Sequence, residues 1–314
     1  MNLLVTGGLG FIGSHIVDKC VADNHAVMVF DNISTGSLRN SNRKALNCIA
    51  DVCNEYEVDL AFHNFRPDVV IHCAAQADVL TSIDDPILDC NSNIIGTINI
   101  LNACVRHDVK RIVFCSSCSV YGNNSASMNY REYDGYDPLS PYAVSKSACE
   151  MYINSYYINH GLEYNSLRLA NVYGPRQTKK NVIPIFVDKC LKNEDMIVNC
   201  CGDNKDGCYR DYIYIEDVVK SVMLSVSGDM GSGVINVGTG VPTSTLELAE
   251  LIKDLTGSVS FIKYGSVSNG ESFYSVLNND LIGGFVDSFV DISSGLSNYI
   301  VLLDAEAESH EFTT

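Results

Sequence analysis

The segment from Val5 to Gly13, Val-Thr-Gly-Gly-Leu-Gly-Phe-Ile-Gly, constrains the fold more than any other part of this chain. It follows a short apolar run, Leu3–Val5, which predicts a buried strand, and it leads into an amphipathic stretch, which predicts a helix. Gly7 and Gly8 permit backbone angles that a side chain would forbid, Gly10 lets a ligand approach the main chain, and Gly13 lets the helix pack closely on the strand. The free N–H groups at the start of this helix suit a pyrophosphate, so the segment predicts a dinucleotide-binding turn.

A second apolar run, Ala26–Phe30, ends at Asp31. An acidic residue about 20 positions after a glycine turn holds the ribose 2′-hydroxyl of NAD and repels the 2′-phosphate of NADP. Asp31 therefore favours NAD as the cofactor, although Arg39 and Arg43 lie near enough in sequence to leave NADP open. A strand–turn–helix unit with no cofactor is the plain alternative, and the combined context makes it the weaker one.

Charge and cysteine usage exclude several classes of function. The formal net charge of −17 at pH 7 argues against a nucleic-acid partner or an anionic membrane surface. No apolar stretch is long enough to cross a bilayer, and the chain opens directly on a predicted strand, so we expect no signal peptide and a cytoplasmic location. The 13 cysteines are scattered through apolar segments and are expected to be reduced core residues. The pair Cys115 and Cys118 has no second pair at similar spacing, so no metal site is expected.

Short apolar runs alternate with amphipathic segments through the first half of the chain, which predicts an α/β fold built on a Rossmann-type, doubly wound parallel sheet. Strands are expected at Leu3–Thr6, Ala26–Asp31, Leu46–Ala50, Val69–Cys73, Ile112–Ser116 and Glu163–Leu169, and helices at Gly10–Asp23, Tyr56–Phe65, Pro86–His107 and Pro141–His160. The pattern loosens afterwards, which indicates a smaller C-terminal substrate-binding lobe. We expect a cofactor domain over 1–170, interleaved with later strands, a substrate lobe over 171–303, and a solvated or disordered acidic end over 304–314.

Ligands in such sheets bind at the carboxyl ends of the strands. Asp51 and Val52 follow the third predicted strand, where an acid reaches the adenine edge of a cofactor. Ala74 and Ala75 follow the fourth, where small side chains let a cofactor lie flat against the backbone. Taken alone, these residues are equally consistent with ordinary loop and core.

Tyr142 and Lys146 lie four residues apart, which places both on one face of a predicted helix. A phenol is a poor base at neutral pH, and a neighbouring ammonium favours its ionised form. A tyrosine so paired could take a proton from a sugar hydroxyl as hydride leaves the same carbon for a nicotinamide. Ser116, Ser117 and Ser119 are candidates for a third group. Such a pair is usually just exposed on a helix, and the preceding cofactor turn is what favours catalysis.

Further motifs join these over roughly residues 1–250. They are Thr6–Gly13, Asp31-Asn32, His72–Ala75, Asn93–Thr97, Ser116–Gly122, Ser140–Lys146, Arg168–Arg176, Arg210–Ile213 and Asn236–Gly240. With them the chain resembles the extended short-chain dehydrogenases/reductases, and most of all the UDP-hexose 4-epimerases.

The resemblance implies a role for each matching residue. Tyr142 is expected to be the base, Lys146 its partner and a ligand of the nicotinamide ribose, and Ser117 a hydrogen-bond donor to the reacting sugar oxygen. Asn171 is expected to contact the phosphates of the sugar nucleotide and Arg210 to neutralise them. The expected NAD contacts are Gly7, Gly10, Phe11, Ile12, Gly13, Asp31, Asn32, Asp51, Val52, Ala74, Ala75, Asn93, Tyr142 and Lys146.

The residues after Ser117 help to choose the reaction. Relatives that dehydrate a sugar carry an Asp-Glu pair there, and relatives that decarboxylate carry a Glu, whereas this chain has Cys118 and Ser119. The resemblance therefore favours a simple 4-epimerase, with oxidation at C4, rotation of the 4-keto sugar and hydride return. Another nucleotide-sugar enzyme of the family, such as a 4,6-dehydratase or a reductase, and a non-catalytic nucleotide-binding homologue are the alternatives.

The tail informs the choice of substrate. The family carries an Arg three residues before an acid and a gate residue four after it; here Glu271 fits the acid, Ser268 replaces the Arg, and Ser275 is the gate. A small gate leaves room for an N-acetyl group, so UDP-GlcNAc and UDP-GalNAc are expected alongside UDP-Glc and UDP-Gal. A shift of one residue would make Tyr274 the gate and reverse this inference.

The resemblance also implies a homodimer. The helices predicted at Pro86–His107 and Pro141–His160 would pair with their copies to form a four-helix bundle.

Overall fold

The computed structural model of the protein describes residues 1–123, 129–200, 204–266 and 272–311, with side chains as far as residue 303. The strands are β1 (Asn2–Thr6), β2 (Ala26–Asp31), β3 (Leu46–Ile49), β4 (Val69–His72), β5 (Arg111–Ser117), β6 (Glu163–Leu169), β7 (Asn171–Tyr173), β8 (Met196–Cys200), β9 (Tyr209–Tyr214), β10 (Gly233–Val237), β11 (Pro242–Ser244), β12 (Ile262–Ser266) and β13 (Tyr274–Ser275). The α-helices are α1 (Phe11–Ala22), α2 (Glu55–Phe65), α3 (Val79–Asp84), α4 (Pro86–Cys90), α5 (Gly96–Arg106), α6 (Pro141–His160), α7 (Val182–Leu191), α8 (Ile215–Ser227), α9 (Thr245–Thr256) and α10 (Ile292–Glu311).

A seven-stranded sheet with the order β10-β6-β5-β4-β1-β2-β3 forms the centre of the molecule. Every neighbouring pair in it is parallel. This confirms the predicted doubly wound parallel sheet, and the predicted strands agree with the observed ones to within one residue at each end. Because strand order reverses at β1, the crevice outside the carboxyl ends of β1 and β4 is the topological switch point, where such folds bind ligands.

The sheet is buried on both faces. Leu3 and Val5 pack in one apolar cluster with residues of α1 and α8, whereas Leu4 packs in a second cluster with residues of α2, α5 and α6. Successive side chains of a strand point to opposite faces, so an uninterrupted apolar run is what a strand between two helical layers requires. The continuous apolar runs in the sequence therefore mark the central strands.

The helix predicted over Pro86–His107 is interrupted once. Helices α4 and α5 are joined by a π-helical turn, Asn91–Ile95, so the chain stays helical from Pro86 to Arg106. The turn carries Asn93, which is 2% exposed, toward the protein interior. Turns of this kind occur frequently at functional sites.

Helix α3 was not predicted, because its six residues are too few to show a helical period. Its N-terminus is capped by Asp78, whose carboxylate accepts a hydrogen bond of 2.7 Å from the N–H of Thr81. A cap of this type stabilises a helix by about 1 kcal/mol, which matters most for a helix this short.

The second half of the chain forms a smaller sheet of β7, β9, β11 and β13, together with the parallel pair β8 and β12. It also returns β10 to the main sheet, where it pairs with β6. A later strand thus joins the main sheet, whereas the division of the chain into domains at residue 170 stays a prediction. In the described part of the chain, no helix has the length and apolar character needed to cross a membrane.

The end over 304–314 is predicted to be solvated or disordered; the backbone of 304–311 continues helix α10, so only the disordered alternative is wrong for these residues. The helix is anchored upstream by Leu296, Tyr299 and Ile300, which are all buried. The segment that follows is rich in Ala and Glu, which are strong helix formers and let the helix continue past its buried part.

The glycines Gly122 and Gly161 offer a matched test of the backbone. Both have positive φ, +61° and +71°, but a Cβ on Gly122 would lie 1.7 Å from the carbonyl oxygen of Asp137, whereas one on Gly161 would meet nothing within 4 Å. Left-handed strain costs about 1–2 kcal/mol, and overpacking adds about 1–3 kcal/mol. We therefore expect Gly122→Ala to lower the free energy of unfolding by about 2–5 kcal/mol and Gly161→Ala by about 1–2 kcal/mol in denaturant titrations. Equal losses would contradict the placement of residue 137.

Candidate active site

The glycine turn after β1 packs directly on the chain that leaves β4. Gly7 has a φ of +66°, and a Cβ there would lie 2.7 Å from the backbone nitrogen of Ala74. A Cβ on Gly13 would lie 2.2 Å from the carbonyl oxygen of Gly7. No other residue fits at either position without moving the backbone, so these glycines bring the ends of β1 and β4 and the start of α1 together.

The start of α1 is free to hold an anion. Gly10 occupies the N-cap position, no side chain caps the helix, and the first turn contains no acidic residue. A Cβ on Gly10 would meet only the carbonyl oxygen of Gly7, at 3.2 Å, so the space beside this residue is otherwise open. Backbone N–H groups at Phe11 and Ile12 are therefore available to a pyrophosphate, as the sequence predicts.

The carboxylate of Asp31 lies at the end of β2 and is nearly buried. It accepts hydrogen bonds from the N–H of Leu9, at 2.9 Å, and from the N–H of Ile33, at 2.7 Å. An ionised carboxylate has about four acceptor positions, so capacity remains for the hydroxyls of a ribose. Asp31 thus orders the glycine turn and still fits its predicted role.

Asn32 and Asp51 link the ends of β2 and β3. The Asn32 amide donates to one carboxylate oxygen of Asp51, at 2.9 Å, and the N–H of Cys53 donates to the other, at 2.8 Å. Burial raises the pKa of Asp51, but these hydrogen bonds outweigh it and hold the pKa below its ordinary value. Val52 then packs on the next helical layer, where a Cβ on Gly96 would lie 2.7 Å from it.

Ala74 is held by a buried polar chain that the sequence analysis did not assign. Its N–H donates to Thr6 Oγ1 at 3.1 Å, Thr6 Oγ1 lies 2.7 Å from His72 Nδ1, and His72 Nε2 lies 3.0 Å from Thr97 Oγ1. Since Thr97 donates to the carbonyl of Asn93, it accepts from His72 Nε2–H, which leaves Nδ1 to accept from Thr6. Burial lowers the pKa of His72 to about 3, and the charge of Lys146 acts in the same direction. His72 is therefore a neutral structural link.

Asn93 binds the loop after Ala75. Its amide group donates to the carbonyl of Gln76, to Asp89 Oδ1 and to Ser145 Oγ, and its oxygen accepts from the N–H of Gln76 at 2.8 Å. These bonds occupy the side chain, so the geometry favours an indirect role in which Asn93 shapes the cofactor loop. Its predicted direct contact with NAD stays a prediction.

Tyr142 and Lys146 lie in the first turns of α6, beside the end of β5. The Lys146 ammonium is buried, donates to the carbonyl of Cys115 at 2.8 Å, and lies 5.9 Å from the centre of the Tyr142 ring. Ser117, the last residue of β5, accepts a hydrogen bond from the N–H of Ser119. The Ser119 hydroxyl is buried and has no hydrogen-bond partner among the described residues. The three predicted catalytic residues thus lie on two adjoining elements joined by the Lys146 bond.

A buried ion pair one helical turn after Lys146 joins α6 to β5 and β6. Glu150 and Arg168 are 2% exposed each, and Arg168 Nη2 lies 2.8 Å from the Glu150 carboxylate. Glu150 also accepts hydrogen bonds from Ser116 Oγ at 2.5 Å and from the Tyr136 hydroxyl at 2.9 Å. Every acceptor of the pair is therefore used, which a buried charge requires. Because Ser116 precedes Ser117, this network aligns the end of β5 with the helix that carries Tyr142.

The predicted substrate residues lie on the smaller sheet. Asn171 begins β7 and donates to the carbonyl of Asp211 in β9, and Arg210 precedes that aspartate. The Asp211 carboxylate is fully buried and accepts from the backbone of Thr239 and Gly240 and from the N–H of Leu277. Asp211 therefore ties together the segments that carry Asn171, Arg210 and β13.

Strand β13 places the predicted gate beside the catalytic segment. Ser275 lies opposite Arg210 in the parallel pairing of β13 with β9. Its hydroxyl lies 3.7 Å from the sulfur of Cys118. Tyr274 points elsewhere and donates to Asn129 Oδ1 at 3.0 Å. This arrangement favours Ser275 over Tyr274 as the gate. The predicted acid Glu271, and Ser268 at the position of the missing Arg, lie outside the described residues.

Residues 3–238 match the model of the NAD dependent epimerase/dehydratase family. The chain belongs to this family. It is 41% identical to a putative UDP-glucose 4-epimerase of Methanocaldococcus jannaschii over 278 residues, which cover 86% of this chain and 88% of that protein. The family is NAD dependent, so the predicted cofactor is confirmed.

Two solved structures of this family show the same fold. A UDP-glucose 4-epimerase of Thermotoga maritima with UDP-glucose has a TM-score of 0.92 and 34% identity, covering 98% of this chain and 100% of that one. A UDP-N-acetylglucosamine 4-epimerase of Methanobrevibacter ruminantium M1, in complex with UDP-N-acetylmuramic acid, has a TM-score of 0.89 and 31% identity, covering 97% and 98%. Among the described residues of this protein, no group of three or more His, Cys, Asp or Glu side chains could hold a metal ion.

Sequence reasoning missed the residues that hold the site in place. Glu150 follows Lys146 at the same four-residue spacing that links Tyr142 to Lys146, so the helical face could have indicated it. His72 and Asp211 belong to motifs in the sequence, but no structural role is predicted for either. Their partners come from distant segments, and nothing local indicates them.

Proposed function

We propose that the protein is an NAD-dependent 4-epimerase of UDP-hexoses. The observation that carries the proposal is the placement of Tyr142, Lys146 and Ser117 at the carboxyl end of β5, in the sheet whose switch point holds the glycine turn. The names of the relatives, UDP-glucose and UDP-N-acetylglucosamine 4-epimerases, support the same reaction.

The residues present fit NAD. The open face of Gly10 and the uncapped start of α1 would receive the pyrophosphate, Asp31 the adenosine ribose, and Ala74 and Ala75 the flat side of the cofactor. When bound, NAD would supply a hydride acceptor and donor for C4 of the sugar.

The side chains at the end of β5 would remove and return the proton of the sugar C4 hydroxyl. Tyr142 takes the proton of the C4 hydroxyl and returns it when the opposite configuration forms. The buried Lys146 ammonium, 5.9 Å from the centre of the Tyr142 ring, is the nearby positive charge that would accompany this proton transfer. Ser117 hydrogen-bonds the C4 oxygen in both states and holds it in place during rotation of the sugar.

The two residues that follow Ser117 favour epimerisation over dehydration. Elimination of water from a 4-keto sugar needs an acid and a base beside the ring, and the family's dehydratases carry both there. Here Cys118 and Ser119 stand in those positions, and burial raises the pKa of the Cys118 thiol, so it stays protonated and neutral. At these two positions the chain thus carries neither the acid nor the base that dehydration needs.

The substrate lobe favours both plain hexoses and N-acetylhexosamines. Ser275 and Cys118 are both small, and the hydroxyl of one lies in contact with the sulfur of the other, at 3.7 Å, beside the predicted sugar site. A bulky residue at the gate would fill the space that an acetamido group needs. Arg210, whose side chain is partly exposed, would neutralise the diphosphate, since position 268 has a Ser where the family has an Arg.

The proposed reaction is tested by incubating the purified protein with UDP-Glc and with UDP-GlcNAc separately, and following the sugar C4 configuration by proton NMR. We expect both substrates to approach an equilibrium of the two C4 epimers with unchanged mass and no net NADH. Loss of water would indicate a dehydratase. Bound cofactor without turnover of any UDP-sugar would indicate a non-catalytic homologue.

The base is tested by Tyr142→Phe. The variant keeps the ring and the pocket but lacks the proton acceptor, and general bases contribute about 10²–10⁴-fold to rate. We expect kcat to fall by at least about 100-fold while NAD binding and the midpoint of unfolding stay unchanged. Tyr152→Phe is the matched control, because Tyr152 is on the same helix and exposed to solvent. Normal turnover in Tyr142→Phe would remove the assignment.

The gate is tested by Ser275→Tyr, with Ser275→Ala as the variant that keeps the gate small. A steric clash of this kind discriminates substrates by about 10–200-fold. We expect Ser275→Tyr to lower kcat/KM for UDP-GlcNAc at least about tenfold more than for UDP-Glc, whereas Ser275→Ala leaves the ratio near that of the parent. An equal effect on both substrates would contradict the placement of Ser275 at the sugar.

A homodimer is part of the proposal, supported by an apolar surface on two adjacent helices. Val144, Met151 and Ile158 recur every seven residues on α6 and are 49%, 55% and 69% exposed. On the neighbouring helical run, Leu88 and Ile95 show the same spacing and are also exposed. Stripes at this spacing are typical of helices that pack in bundles, and a two-fold copy of the pair would form the predicted four-helix bundle.

The dimer is tested by Met151→Glu, with Ile197→Glu as the control, since Ile197 on β8 is 50% exposed and lies outside the apolar surface. We expect the parent protein and Ile197→Glu to sediment as dimers and Met151→Glu as a monomer, because a charge buried in the bundle would lack a partner. A monomeric parent protein, or a Met151→Glu variant that stays dimeric, would exclude this surface as the interface.

A further inference from the structure

Two cysteines meet at the carboxyl ends of β4 and β5, on the side of the sheet where the glycine turn lies. Cys73 directly follows β4, and Cys115 lies in β5, one position beyond the paired residues His72 and Phe114. Their sulfur atoms are 3.3 Å apart and share a hydrogen bond. The proposed epimerase reaction uses neither thiol.

The geometry of this pair is compatible with a disulfide. Neighbouring strands lie about 4.7–4.9 Å apart, which falls within the Cα separation of about 4.4–6.8 Å found in disulfides. The sulfurs would need to approach by only about 1 Å to reach a bond of about 2.05 Å. No large movement of β4 or β5 is required.

The surroundings make the two thiols chemically different. The hydrogen bond from Cys73 lowers the pKa of the Cys115 thiol, burial opposes this shift, and the nearby Lys146 ammonium adds to it. Cys115 is buried, whereas Cys73 is partly exposed. A thiol biased toward the thiolate next to a second thiol is the arrangement of a sensing and a resolving cysteine.

We propose that Cys73 and Cys115 form a peroxide-sensitive pair, which closes to a disulfide and weakens dinucleotide binding. The oxidant is a peroxide small enough to reach a site covered by side chains. The inference depends on the dinucleotide site and not on the sugar reaction, so its test contains no sugar.

The oxidation balances in two steps. The Cys115 thiolate attacks one oxygen of hydrogen peroxide, the O–O bond breaks, and the leaving hydroxide takes up a proton to become water, which leaves a sulfenic acid on Cys115. The Cys73 sulfur then attacks the Cys115 sulfur, the S–O bond breaks, and the hydroxyl leaves with the Cys73 proton as a second water. The two thiols lose two electrons and the peroxide gains them.

The effect on binding follows from the position of Cys73. A Cβ on Gly7 would lie within 2.9 Å of the backbone of Cys73 and Ala74, so the glycine turn rests directly on this segment. A disulfide would draw Cys73 toward β5. This would move the backbone on which the glycine turn packs, and with it Ala74 and Ala75, which are predicted to contact the cofactor. By thermodynamic reciprocity, bound NAD must disfavour the disulfide by the same factor that the disulfide disfavours NAD.

The test exposes the full-length protein to hydrogen peroxide with and without saturating NAD, blocks the remaining free thiols, and identifies linked peptides by mass spectrometry. NAD affinity is measured by calorimetry before oxidation, after it, and after reduction with dithiothreitol. Cys73→Ser and Cys115→Ser remove one partner each. Cys48→Ser is the control, because Cys48 is also partly exposed but belongs to β3.

We expect a Cys73–Cys115 peptide in the parent protein and in Cys48→Ser, about tenfold less of it with NAD present, and about tenfold weaker NAD binding that reduction restores. Treatment with peroxide should not lower the NAD affinity of Cys73→Ser or Cys115→Ser, because neither variant can form the disulfide. Absence of the linked peptide, oxidation of Cys115 to a sulfinic acid without linkage, or a disulfide with unchanged NAD affinity would each overturn the proposal.

Discussion

The contact between Gly7 and the backbone of Ala74 is the constraint on which the rest of the site depends. It exists because no Cβ occupies the space between two parallel strand ends, and it brings the first glycine turn against the segment that leaves β4. The open start of α1, the acid at the end of β2 and the small residues after β4 all take their positions from it. A larger residue at position 7 would separate the two halves of the dinucleotide site before it disturbed any ligand contact.

Three buried charged or polar networks connect elements that carry predicted functional residues. Glu150 and Arg168 align β5 with α6, Asp211 joins the segments of the substrate lobe, and the neutral His72 links Thr6 to Thr97. Unpaired, each of these groups would cost several kcal/mol in a dry interior, so their partners specify one arrangement. The rigidity that catalysis needs is therefore supplied behind the site rather than within it.

The proposed chemistry depends as much on what the chain lacks as on what it carries. Neutral residues occupy the two positions after Ser117, and Lys146, the proposed partner of Tyr142, also lies close to the thiol of Cys115. One ammonium thus influences both the proposed base and the proposed redox pair. In such a site, the oxidation state of two thiols and the occupancy of the cofactor are coupled through a shared stretch of backbone.

The sequence by itself determined the alternation of strands and long helices as far as residue 169, the glycine turn, the NAD preference at Asp31 and the spacing of Tyr142 and Lys146. These signals are local, because they reside in periodicity, in single glycines and in residues one helical turn apart. Only the tertiary structure decided that the helix at residue 91 contains a π turn, that Asn93 binds a loop, that Ser275 faces Cys118, and that Cys73 meets Cys115. Each of these features joins segments far apart in the chain, and packing rather than local preference selects such contacts.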